Sequence, residues 1–201
     1  MPRVKEKSDD SILEGALKVI IKKGPTSFSL MDVSKIVGLS PATLLQRFGS
    51  KKGLLTSSIA YSNQLLLEDL NKLVSKIENS ETSGLEAVVE LLLGFAKGFK
   101  DPKQVAQGLD ILKLDIIDPE LNRVSIEYFS IRKKCIVGLL SRARERKEIP
   151  KNSDLEAIAS CLEAVWQGTI MQWALFKSGS LSEHLRRNLG IAFTSIVITT
   201  L

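Results

Sequence analysis

The stretch PATLLQRF, residues 41–48, sets a carboxamide and a guanidinium side by side in Gln46 and Arg47, and the pair Lys51-Lys52 follows almost at once. These residue types suit a nucleic acid. A glutamine can bond adenine through N6 and N7, and an arginine can reach guanine O6 and N7 or a phosphate. Two ammonium groups beside a helix start add to backbone N–H groups that already favour a phosphate. One short helix would then read bases while the next helix start grips the backbone. Ala42 and Thr43 are small enough to let that helix approach a groove floor. Ser29, Ser40 and Pro41, which would open the helices, and the flanking Leu45 complete the candidate DNA-binding set of Ser29, Ser40, Pro41, Ala42, Thr43, Leu45, Gln46, Arg47, Lys51 and Lys52.

Such side chains need a rigid support, and the flanking pattern supplies one. SLMDVSKIVG begins at a Ser29 cap and ends at Gly38, with Leu30, Val33, Ile36 and Val37 predicted inward. Gly38 can take φ > 0, Leu39 packs inward at the turn, Ser40 caps the next helix, and Pro41 brings a preset φ. On a helical wheel Leu44 and Phe48 point at the other helices, and Ala42 and Gln46 point away. Upstream, SILEGALKVIIKKG puts Ile12, Leu13, Ala16, Leu17, Ile20 and Ile21 on one stripe and stops at Gly24-Pro25. Helices over 10–23, 30–37 and 41–47, the last two joined by GLS, make a helix-turn-helix arrangement.

The rest of the chain keeps a helical period. A long helix is predicted from about Lys51 to Ile77, carrying Leu54, Leu55, Ile59, Leu65, Leu66, Leu70 and Leu73. NSETSG at 79–84 is a polar break, and a domain junction falls within or before it. Asp118-Pro119 opens another long helix as cap and first residue. No strand alternation is evident. The fold class is all-α with about nine helices, although the closing TSIVITT is β-branched. The division is a helix-turn-helix domain over 1–53 and a C-terminal helical domain over 54–201.

Composition narrows the function. The net charge is +5 over 201 residues. Residues 1–60 hold ten Lys/Arg against five Asp/Glu, so the whole positive excess sits in the helix-turn-helix part. That asymmetry is the electrostatic footprint of a nucleic-acid binder. No apolar run spans a membrane and no secretory leader is visible, so a cytoplasmic location is expected. Cys135, Cys161 and the single His184 offer no metal-ligand spacing, and no nucleophile–base pair or phosphate loop is present. No catalytic residue, metal or cofactor is expected.

With these residues in hand, positions 10–60 resemble the N-terminal domain of TetR-type (TetR/AcrR) transcriptional regulators. The shared signs are KKG closing the first helix, Ser29 as cap, VSKIVGLS, TLLQRF and SKKGLL, all in register. Three positions depart from the pattern. Leu45 replaces a usual Tyr that touches phosphate, Ser34 stands where Ala is common, and Arg47 replaces an aromatic or His. The resemblance implies a DNA-binding regulator, most often a repressor, acting as a homodimer on a near-palindromic operator. It also implies a small apolar effector held in the C-terminal domain.

Two further expectations concern that domain. The stretches 118–150 and 154–176 look like the family's seventh and eighth helices. With the last helix, they imply a dimer interface using Ala159, Leu162, Gly168, Leu189, Phe193, Ile196 and Val197; the alternative is that these stripes only fill the core of one chain. Phe95, Phe99, Tyr128, Trp166, Ile170 and Met171 are candidates for an apolar pocket, although aromatics at helical spacing are more often plain core. The alternative function is a helical interaction protein whose DNA-binding head is degenerate. Leu45 in place of Tyr favours it.

Overall fold

Ser8 starts the helical chain. Its side chain accepts the Ser11 N–H, and α1 follows as Asp9–Lys23, with acids in its first turn and lysines in its last. The computed structural model describes residues 7–80, 82 and 84–199, with side chains up to Ser195. Among them are nine helices and no strand. After α1 come α2 (Leu30–Val37), α3 (Pro41–Phe48), α4 (Lys51–Glu78), α5 (Gly84–Ala96), α6 (Pro102–Ile117), α7 (Pro119–Glu145), α8 (Leu155–Phe176) and α9 (Leu181–Thr199). The β-branched tail thus stays helical through Thr199.

The chain divides into two compact units, Met1–Leu66 with Gln107–Tyr128 and Leu67–Ala106 with Phe129–Leu201. The divisions fall inside α4, α6 and α7, and α4 runs unbroken past residues 53 and 66.

The first unit buries Ile12, Leu13, Ala16, Val19, Ile20, Phe28, Val33, Val37, Leu44, Leu54, Leu55, Ile59 and Leu121 in one cluster. Two expected core residues face solvent instead. Ile36 is 58% exposed, because the eight-residue α2 buries the Val33–Val37 line and Ile36 lies one position off it. Ile21 is also exposed. The buried stripe of α1 tilts to Gly15 and Val19, and Gly15 lies against Val37, where a Cβ would come within 2.5 Å of Val37 Cγ1. Leu65 and Leu66 of α4 are likewise exposed. The α7 start is as the sequence suggests: Asp118 Oδ1 accepts the N–H groups of Glu120 and Leu121, and Pro119 is the first helical residue.

The second unit packs α8 and α5 against α9. Glu148 accepts the first N–H groups of α5, from Gly84 and Leu85. Trp166 donates its indole N–H to Leu92 O at 2.7 Å, and Phe95 and Phe99 set their rings against it. Arg132, only 3% exposed, lies about 5 Å from the rings of Phe95, Phe129 and Trp166. Its Nε and Nη2 bond Glu163 Oε1 at 3.0 and 2.9 Å. A buried guanidinium needs this carboxylate and these aromatic faces to offset its lost hydration.

Candidate nucleic-acid interface

The helix-turn-helix is built by caps. Ser29 accepts the Asp32 N–H, and the Asp32 carboxylate accepts both the N–H and the O–H of Ser29, closing a capping box. The Lys23 ammonium joins the same carboxylate. Lys23 first, and Ser29 next, hold the Asp32 carboxyl down to about 2. Gly38 ends α2 at φ 68°, ψ 27°, a left-handed conformation that suits glycine. Ser40 then accepts the Thr43 N–H at 3.0 Å and shares a hydroxyl contact with Thr43 at 2.8 Å.

Leu44 is fully buried and fixes the rotation of α3. Ala42, Leu45 and Gln46 are exposed, and at i, i+3 and i+4 they share one outward face. Ser40 is exposed, Pro41 and Thr43 are half-buried at its edge, and Ser29 is half-buried under the box. The structure therefore brings the predicted α3 residues together on a single surface.

The cations have partners that local sequence could not announce. Arg47 donates to Lys7 O at 2.6 Å and pairs with Asp9 Oδ1 at 3.0 Å, which ties the end of α3 to the start of α1. The Lys7 ammonium in turn bonds Val37 O beside the turn. Lys51 donates to Thr26 O at 2.8 Å with its ammonium 4.8 Å from the centre of the Phe28 ring. Lys52 pairs with Asp118 Oδ2 at 2.9 Å and Glu120 Oε2 at 3.5 Å. These acids raise the Lys52 ammonium, Asp118 most, and Lys52 lowers the Asp118 carboxyl. The residues missed by sequence reasoning are thus Lys7, Asp9, Asp118 and Glu120. The partners lie about forty or more positions from the cations they hold, and no spacing rule reaches that far.

Gly53 is another missed residue. A Cβ there would lie 2.0 Å from Phe48 O, so the first turn of α4 passes against the end of α3 only because residue 53 has no side chain.

In the second unit the expected interface residues take different positions. Ala159, Leu162, Leu189 and Phe193 are buried in the unit's own core, so their apolar surface is already used within one chain. Ile196 and Val197 have side chains outside the described residues. Among the described residues of that set, Gly168 borders an open groove between α8 and α9, with Cys161, Val165, Thr169, Gln172, Asn188, Ile191, Ala192 and Ser195. Of the expected pocket residues, Trp166 and Ile170 are buried in the core and Phe95 and Phe99 pack against it, with Phe95 and Trp166 beside Arg132. Met171 is exposed, and Tyr128 belongs to the first unit.

The class this defines is an all-helical chain with a capped helix-turn-helix near its amino terminus. Residues 12–57 match the family model described as "Bacterial regulatory proteins, tetR family". Among solved structures, the chain is similar to the transcriptional regulator FadR from Bacillus subtilis in complex with stearoyl-CoA. That pair has a TM-score of 0.75 at 16% identity, covering 92% of this chain and 98% of the other. It is similar to a protein of Saccharomonospora viridis in complex with choline, with a TM-score of 0.73 at 20% identity over 90% and 92%. It also resembles the TetR family transcriptional regulator PfmR from Thermus thermophilus, with a TM-score of 0.66 at 20% identity over 91% and 97%. No curated protein sequence matches. The chain has a tetR-type amino-terminal domain and the fold of TetR-family regulators.

Proposed function

We propose that the protein is a dimeric DNA-binding transcriptional regulator, a repressor released by a small effector, working in the cytoplasm. The observation that carries this reading is the outward face of α3. Leu44 is buried beneath it, Ser40 caps it, and Ala42, Leu45 and Gln46 stand clear on it. The tetR family match over residues 12–57 supports the same use. Two copies would place two such helices in successive major grooves of a near-palindromic site. The α8–α9 groove, with Ile191 61% exposed on its wall, is the surface offered for that pairing.

Effector binding is supported by the relatives solved with stearoyl-CoA and with choline. Binding to one of two arrangements of the dimer would shift the spacing of the heads and so the affinity for DNA. No catalytic role is assigned, and among the described residues no group of His, Cys, Asp and Glu could hold a metal. No helix among them is long and apolar enough to cross a membrane.

Fluorescence anisotropy against duplexes from around its own coding region tests the reading. Binding should weaken steeply with salt, linearly in log K against log salt. Gln46→Ala should cost about 1–3 kcal/mol of operator affinity with the dimer intact. Arg47→Ala should also weaken binding, through loss of the tie to Asp9 and Lys7. Equal binding by both variants and the parent refutes the assigned face. A helical interaction protein with a degenerate head is the second reading, favoured by Leu45, Met31 and Ile36 lying exposed on the same domain. It predicts no duplex binding at any salt.

A further inference from the structure

We infer that the α3 face is built to read A·T pairs: Leu45 and Ala42 pack on thymine methyl groups, and Gln46 bonds adenine. The inference rests on the proposed DNA-binding function and goes on to name what the site recognises.

Geometry comes first. Ala42, Leu45 and Gln46 lie at i, i+3 and i+4, so their side chains form one continuous patch around the outward line of the helix. Leu44, with no exposed surface, locks that rotation. The patch offers a methyl, an isobutyl group 43% exposed and a carboxamide. It carries no charge. In the major groove, guanine is matched best by a cationic fork on O6 and N7, adenine by a carboxamide on N6 and N7, and thymine by an apolar contact on its C5 methyl. The patch holds the second and third of these and lacks the first.

The surrounding cations are directed elsewhere. Arg47 is turned to Asp9 Oδ1 and Lys7 O, on the side of α3 that also carries Thr43. Lys51 is held by Thr26 O and the Phe28 ring, and Lys52 by Asp118 and Glu120. Lys35 is exposed, but on α2, the helix that in this arrangement crosses the backbone and serves phosphates. An exposed leucine on a reading face gains little from a phosphate or a guanine edge. Against a methyl group it gains the apolar burial it lacks in water.

The test is selection of duplexes from a random library by the full-length chain, followed by binding to the selected site with thymine replaced by uracil. Selected half-sites should carry adjacent A·T pairs at their centre. Removing each contacted methyl should weaken binding roughly fourfold. Leu45→Ala should lose the part of the thymine-over-uracil preference that Leu45 supplies and keep the smaller part due to Ala42, while Gln46→Ala should lose its preference for adenine. Leu45 is exposed, so its truncation leaves the core intact, and the uracil comparison needs no variant at all. Half-sites centred on a G·C pair whose preference vanishes in Arg47→Ala would overturn the inference and leave the DNA-binding function standing. Equal binding of thymine and uracil duplexes by the parent chain would do the same. Enrichment of no duplex would remove the function itself and the inference with it.

Discussion

Asp32 serves three donors, the Ser29 N–H, the Ser29 hydroxyl and the Lys23 ammonium, and so stays ionised down to about 2. A depressed folded value contributes stability that is present above the ordinary carboxylate range near 4 and lost as pH falls towards 2. In an NMR titration, the Asp32 carboxyl should show a midpoint near 2, with α2 losing amide protection over the same range. A midpoint near 4 would contradict the capping box. Ser40→Ala removes the acceptor for the Thr43 N–H and should cost about 1 kcal/mol in urea unfolding. Ser29 and Ser40 were legible as caps in the sequence because a cap acts on an N–H three positions away, whereas the return bonds of Asp32 were not read there. The roles of Arg47 and Lys52 were not legible. Their partners, Asp9, Asp118 and Glu120, are set by packing between helices rather than by spacing along one.

Among elements, the α3–α4 corner decides how the reading helix is presented. Two effects compete at Gly53. Alanine is the better helix former by about 1 kcal/mol. A Cβ 2.0 Å from Phe48 O must push backbone aside, which costs roughly 1–3 kcal/mol. The close approach should win, so Gly53→Ala should lower both stability and DNA affinity; a stabilised variant would rule out the approach. At the other side of α4's first turn, Asp118 and Glu120 hold Lys52 and, in the proposed function, would compete with DNA for it. The double variant Asp118→Asn, Glu120→Gln should steepen the slope of log K against log salt by about 0.9, the value for one more phosphate neutralised. Helix positions and the turn followed from period and punctuation. The outward rotation of Ile36 and Ile21 did not, since the eight-residue α2 has room for only one buried line and the buried stripe of α1 shifts to Gly15 and Val19.

For the whole molecule, one architecture accommodates stearoyl-CoA in one relative and choline in another, so the fold does not fix the effector. Pairing of subunits is the more accessible question. The apolar content of α8 and α9 was legible, but not its allocation. Leu162, Leu189 and Phe193 fill their own unit, and Ile191 and Gly168 are left on the open groove. Ile191→Glu should therefore dissociate the proposed dimer in sedimentation while leaving the melting temperature of the helices nearly unchanged. Loss of the fold instead would place Ile191 in the core.

Cys161 opens onto that same groove, whereas Cys135 is half-buried and its thiol is pushed up by burial and, less, by Glu78. Alkylating reagents prefer an exposed thiol with ready access to its thiolate. A maleimide at neutral pH should accordingly modify residue 161 long before residue 135, and a second copy seated on the groove would shield it. Labelling rate against dilution thus gives the association curve of the unmodified chain, which carries its own gauge of assembly.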